Sequence, residues 1–316
     1  MKKSLLAAIL LTCVFPALAL AIAAPYMDTR EDEITVENGT HQTPENAVMV
    51  SVLTEADVVR MELEEYVCCV VLGEMPADFE VEALKAQAVV ARTYTSRKMR
   101  DSKHSSADVC TDASCCQAFC TIDAFLENGG TKSALTKVKT AVYETQGEVL
   151  HYNGQLIEAT YFSCSGGRTE DAEAVWGADV PYLQSVDSPG EENAIYHTDT
   201  VIFSVAQLSD KLNVSASDLL DHGIGAIVYT RGGGVATIEI GGITFSGTRI
   251  RQMLGLRSTA FVITWAGESV TVTTKGFGHR VGMSQYGAEA MAVSGENYET
   301  ILYHYYPGTA LSDLFG

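Results

Sequence analysis

The chain is 316 residues long, with 47% hydrophobic and 19% charged residues, a mix that buries a sizeable core and excludes wholesale disorder. Its 21 basic residues against 40 acidic ones leave a formal net charge of −19. That field repels polyphosphates. With no long Lys/Arg run and no GxxxxGK(S/T) or strand–GxGxxG–helix segment, nucleic-acid binding and nucleotide chemistry are both disfavoured.

At the N-terminus, Lys2 and Lys3 precede an uncharged apolar run from Leu5 to Ala24 that reads as an export segment. As a helix rising ~1.5 Å per residue it would span about 30 Å, a bilayer's hydrocarbon core. Residues 1–27 are therefore expected to be a signal anchor that leaves the chain extracytoplasmic and tied to a membrane. The small-x-small triplets Ala17-Leu18-Ala19 and Ala21-Ile22-Ala23 make a cleaved signal the alternative. Residues 28–54 read as a tether and 55–316 as the body.

Within the body, 79–99 places Phe79, Ala83, Leu84, Ala88, Ala91 and Tyr94 near one helical face, with start signals from Pro76 and Asp78. A second helix is expected over 132–144, with Leu135, Val138 and Val142 inward. Strands over 148–152 and 156–162 flank Asn153-Gly154, the strongest short hairpin signal a sequence offers. A second hairpin pairs 226–230 with 235–240 around Arg231-Gly232-Gly233-Gly234. Beyond it come a short helix over 248–256, strands over 261–264 and 269–274, and a helix over 284–293. Strands and helices do not alternate regularly, so the expected class is α+β, with mixed helices and antiparallel hairpins. It would form a larger body with a small inserted subdomain at about 198–257.

Four constellations can carry chemistry. The first is Gly73-Glu74-Met75-Pro76, whose carboxylate follows the apolar Val70, Val71 and Leu72. Desolvation would suit Glu74 to general-acid work, whereas capping the following helix is the structural role that competes. The second is Ser163-Cys164-Ser165-Gly166-Gly167-Arg168, directly after a strand. Its glycines let backbone amides approach a ligand and its hydroxyls offer sugar-like hydrogen bonds. Trp176 and Tyr182, further on, could stack on a sugar ring or belong to the core. The third is Gly276-Phe277-Gly278-His279-Arg280-Val281-Gly282, a backbone-exposing loop around a histidine that opens onto a helix. The fourth gathers His104, Cys110, Cys115, Cys116 and Cys120. Spacing alone leaves zinc, disulfides and free thiols open, since the pattern is far from paired CxxC knuckles.

Together these segments resemble the family of stage II sporulation protein D, which also contains the amidase-enhancer protein. The resemblance is carried by Tyr66–Tyr94, Cys116-Gln117-Ala118-Phe119, 147–170, Val175-Trp176, Val180-Pro181-Tyr182-Leu183, 276–292 and the ending Ile301–Thr309. It implies a lytic transglycosylase acting on peptidoglycan, on glycan strands already denuded, in engulfment during endospore formation. Glu74 matches the family's catalytic acid. One carboxylate suffices in that mechanism, because the 6-hydroxyl of N-acetylmuramic acid is the internal nucleophile and a 1,6-anhydro end is left. The resemblance implicates Ser163, Ser165, Gly166, His279, Gln285 and Tyr286 in substrate binding, and Gln117 of the matching Cys-Gln-Ala-Phe segment is expected to join them. Arg92 and Tyr94, on the helix after Glu74, would orient the carboxylate or bind sugar, with a core position as the alternative for Tyr94. It also implicates His104, Cys110, Cys115 and Cys116 in a structural zinc site. The implied partners are a cell-wall amidase and a membrane protein of the engulfment machinery, at the mother cell's engulfing membrane. A non-catalytic, glycan-binding activator of an amidase is the alternative function.

Overall fold

The computed structural model describes residues 47–101 and 103–314. Strand Met49–Leu53 (β1) turns Val50 and Val52 into the core and pairs antiparallel with Val58–Glu62 (β2), which leads directly into helix Leu63–Glu74 (α1). Tyr66, Val67, Val70 and Val71 on α1 are fully buried. Pro76 ends the helix, because the residue before a proline is pushed out of the helical region, and Met75 is extended at φ −128°, ψ 140°. Glu74 is therefore the last residue of α1. It stands at the negative end of a helix and does not cap the one that follows.

That following helix, Val81–Asp101 (α2), buries the expected face and others besides. Ala86, Gln87, Val89, Val90, Thr93 and Thr95 are as inaccessible as Leu84 and Ala88. A helix buried all round belongs at the centre of a fold. Its neighbours are α1, the helix Lys132–Glu144, the strand Glu148–Tyr152 and the C-terminal helices Gln285–Val293 and Tyr298–Tyr305. The run of alanines lets these elements approach closely.

Arg92, on α2, is 0% exposed and locked to Glu64 of α1, its Nε and Nη2 donating at 2.9 and 2.6 Å. Nη1 donates to the Glu148 carbonyl and Nη2 also to that of Val142. The expectation that Arg92 binds substrate or orients Glu74 is corrected here. Its donors are spent on joining α1, α2 and the segment after Val142, out of reach of any ligand.

The class is α+β, with small sheets of two or three strands among the described residues. The Asn153-Gly154 hairpin forms with φ 50° and 75° at its two central residues, as a type I′ turn demands. Its second strand stops at Leu156. Tyr161–Phe162 instead pairs parallel with Met283–Ser284, and Ala310–Asp313 takes the free edge of Glu148–Tyr152. A separate hydrophobic cluster runs from Phe203 to Val272. It packs the antiparallel strands Ile224–Tyr229, Val235–Ile240 and Ile243–Ser246, and the sheet of Thr198–Ser204, Phe261–Ala266 and Ser269–Lys275, with short helices that include Gly247–Leu254.

The expected membrane-anchored location also needs correction. Among the described residues no helix is long and apolar enough to cross a membrane. The Leu5–Ala24 run, and with it the anchor over 1–27, lies outside the described residues, as does most of the tether.

Candidate active site

Glu74 lies half-buried in the wall of a cleft of about 510 Å³. Its Oε1 accepts the Ala118 N–H at 2.6 Å and the Tyr161 hydroxyl at 3.0 Å. The first bond depends on Gly73, since a Cβ there would come within 2.8 Å of the Phe119 nitrogen and 2.9 Å of the Ala118 carbonyl carbon. Only glycine lets the segment 116–119 pass so close to the last turn of α1. Burial, then the adjacent Glu74 carboxylate, push the Tyr161 hydroxyl well above its ordinary pKa, so it remains a donor at any working pH. Tyr161 also reaches Gln117 Oε1 at 3.1 Å, and Gln117 Nε2 donates to Thr95 Oγ1 at 3.0 Å. Gln117 is 1% exposed and does not line the cleft; it supports Tyr161 and reaches no ligand, which corrects its expected binding role.

Of the other expected binding residues, Tyr94, Ser163, His279 and Gln285 come together around the cleft. The Gln285 amide nitrogen is buried with no partner among the described residues, a donor awaiting an acceptor. Burial, then the charge of Arg251, lower the His279 pKa to about 4, so the ring is neutral near pH 7. Its Nδ1 accepts the Val281 N–H at 3.1 Å, and its ring lies 5.3 Å from Trp176, which is 48% exposed at the cleft's edge. Tyr182 packs on Tyr152 and accepts the Glu158 N–H, which makes it structural.

The turn presenting His279 is held from behind by Arg280, a non-glycine residue at φ 68°. Its guanidinium is 3.2 Å from Glu170 and donates to the carbonyls of Ser165, Arg168 and Gly232. The glycine-rich hairpin at 232–234 thereby braces this loop through the Gly232 carbonyl.

Two expectations fail, at Ser165 and Gly166. Glu191 Oε2 takes the N–H groups of Ser165 and Gly166 at 2.7 and 2.8 Å and the Ser165 hydroxyl at 2.9 Å. The amides that looked free for a sugar are occupied by a buried carboxylate from the chain itself. Tyr286, next to the cleft-lining Gln285, packs its ring edge-on to Phe79, 5.1 Å away.

His104, Cys110, Cys115 and Cys116 offer ligand atoms that all lie within 4.8 Å of one another. One imidazole and three thiols at that spread can hold a metal ion, given that tetrahedral metal–sulfur bonds of ~2.3 Å put neighbouring donors just under 4 Å apart. Cys120 is not part of the group, and its thiol contacts the Thr121 carbonyl. Burial pushes the Cys68 and Cys69 thiols up to about 11 and about 12, which keeps them inert. Cys116 belongs both to the His/Cys group and to the cleft lining, and it starts the segment whose Ala118 amide holds Glu74.

Sequence reasoning missed Tyr161, which reaches Glu74 across 87 residues of chain. Its only local signal was an aromatic inside a β-prone run, too common to single it out.

Fold and site together define a SpoIID-type domain: the family described as "Stage II sporulation protein" matches residues 54–152, which carry α1, α2, Glu74 and the whole His/Cys group. Over 262 residues the chain is 42% identical to Stage II sporulation protein D of Bacillus subtilis (strain 168), covering 81% of this chain and 76% of that protein. Identity and coverage are the same for Stage II sporulation protein D of Bacillus amyloliquefaciens. The Amidase enhancer of Bacillus subtilis (strain 168) is 29% identical over 296 residues, covering 77% of this chain but 40% of the enhancer. The chain belongs to the stage II sporulation protein D family. That membership supports a role in sporulation and on the cell wall.

Proposed function

We propose that the protein is a peptidoglycan lytic transglycosylase that cleaves denuded glycan strands during engulfment in endospore formation. The observation carrying this reading is the clamp on Glu74 Oε1, in a cleft where no second Asp or Glu is among the described lining residues. A hydrolase would want a second carboxylate for its water or its glycosyl intermediate. A reaction with an internal nucleophile does not. Ala118 and Tyr161 fix the orientation of the carboxyl group, and Oε2, which has no hydrogen bond among the described residues, carries the proton. That proton goes to the bridging oxygen between N-acetylmuramic acid and N-acetylglucosamine as the C1–O bond breaks. The 6-hydroxyl of the same muramic residue then attacks C1 and gives its proton to Glu74, closing the 1,6-anhydro ring and resetting the acid. Gln285 and Ser163 would hold sugar polar groups in the cleft. Purified protein incubated with denuded glycan should release 1,6-anhydro-ended products detectable by mass spectrometry.

Tyr161 is the positioning residue of this scheme. As Glu74 gives up its proton, the Tyr161 hydrogen bond becomes one to a carboxylate, of the charge-assisted kind and worth about 1.5–3 kcal/mol. Tyr161→Phe should therefore lower kcat about ten- to a hundredfold with KM retained. An unchanged kcat would remove Tyr161 from the mechanism.

His104, Cys110, Cys115 and Cys116 would hold zinc in a structural role, with four protein donors and no open position. The ion would anchor the start of the 116–118 segment and so the Ala118 amide that orients Glu74. Protein prepared without chelator should carry about one zinc per chain, and stripping it should lower the melting temperature together with cleavage. Metal-free preparations of full stability would refute the assignment. An amidase that strips stem peptides would supply the substrate. The likeness to the Amidase enhancer favours a second reading, a glycan-binding activator. Raised amidase activity without any anhydro product would select it.

A further inference from the structure

A strongly acidic chain that binds denuded glycan faces an electrostatic conflict. The lactyl carboxyl of muramic acid is an amide while a stem peptide is attached and a free carboxylate once the peptide is gone. A denuded strand is therefore a polyanion, and this chain carries a formal charge of −19. Binding needs a cation at the cleft. Lysine and arginine are absent from its lining, but one arginine is fastened to its wall.

That residue is Arg257. Its carbonyl accepts the N–H of Gly278, one of the lining residues, at 3.1 Å. Its Cζ lies 4.3 Å from the Tyr196 ring centroid and 5.2 Å from that of Phe277, and Phe277 also lines the cleft. The two rings meet edge to face at 5.0 Å. Stacking on aromatic rings orients a guanidinium without consuming its N–H donors. The ion pair with Asp199 reaches Nε at 3.4 Å, between side chains 39% and 38% exposed. Neither Nη group has a hydrogen-bond partner among the described residues.

Arg251, on the helix Gly247–Leu254 just upstream, adds to the positive field on this side. It has no carboxylate partner among the described residues, its Nε donating to the Leu256 carbonyl at 3.4 Å. Its charge is felt at His279. A bidentate arginine–carboxylate bond above an aromatic surface suits a sugar ring that bears an acidic substituent.

We infer that Arg257, set on the Tyr196–Phe277 wall, binds the lactyl carboxylate of a peptide-free muramic residue and so makes the cleft selective for denuded strands. This rests on the proposed substrate class, and the test separates the two. Calorimetric titration of the Glu74→Gln protein would compare a muramic-acid-containing tetrasaccharide bearing free lactyl carboxylates with the same tetrasaccharide as lactyl methylamides. The free acid should bind about tenfold more tightly, with the advantage shrinking at high salt. Arg257→Gln in that background should bring the ratio close to one, and Arg257→Lys, which keeps the charge, should keep part of it. Melting temperatures check that both variants fold. No preference or no binding in the parent protein, or a preference unaltered by Arg257→Gln, overturns the inference. If the ratio behaves as expected while the unsubstituted chain yields no anhydro product, the enzyme reading falls and the role of Arg257 stands. If cleavage occurs with a ratio indifferent to Arg257, the reverse holds.

Discussion

Glu74→Gln should abolish the release of 1,6-anhydro ends from denuded glycan, with a loss of about a hundred- to ten-thousandfold, the range a positioned general acid contributes. Glutamine keeps the shape of the side chain and an oxygen to accept the Ala118 and Tyr161 hydrogen bonds. It has no proton acidic enough for the leaving oxygen and cannot take one from the 6-hydroxyl. Both half-steps fail together, because one group serves both. The melting temperature should barely move, since Glu74 is half-buried at a helix end and the substitution is isosteric. Mass spectrometry of the products checks the first expectation and thermal unfolding the second. Full cleavage by Glu74→Gln would mean that the acid has been misassigned.

Arg92→Leu should have the largest effect on stability, about 3–5 kcal/mol. The substitution strands Glu64, which is 2% exposed, as a buried carboxylate facing only the Gly147 N–H at 3.3 Å. It also removes the donors to the Val142 and Glu148 carbonyls. Burying an uncompensated charge is what makes breaking such a pair costly, while replacing both partners by apolar groups of similar volume is often tolerated. The double variant Glu64→Leu/Arg92→Leu should therefore recover much of the loss. Denaturant unfolding of the two variants checks this, and a double variant as unstable as the single one would locate the cost in packing.

The helix over 132–144, the Asn153-Gly154 hairpin and the helix over 284–293 were legible because each is announced locally, by apolar spacing or by a turn that only certain residues make. Glu74 was legible as a carboxylate after an apolar run, and the His/Cys group as donors crowded into a short stretch. Ser165 and Gly166 misled for the same local reason: a pair of accessible amides looks alike whether a sugar or Glu191 occupies it. Arg92 misled because an arginine on a helix near a candidate acid is usually solvated, and nothing nearby in sequence says that α2 is enclosed on every side.

Sequence by itself determined the family and the α+β class, both properties of residue type and short-range order, and only through the family resemblance did it point to Glu74 as the candidate acid. Tertiary structure alone decided which oxygen of Glu74 is held and by what. It also decided that Gln117 acts through Tyr161, that Arg92 is a buried tie, and that Arg257 is stacked beside the cleft. The reason is physical. Short-range order records how one segment buries a face, whereas a hydrogen bond or an ion pair between distant segments exists only once the packing of everything between them has brought the two groups within about 3 Å.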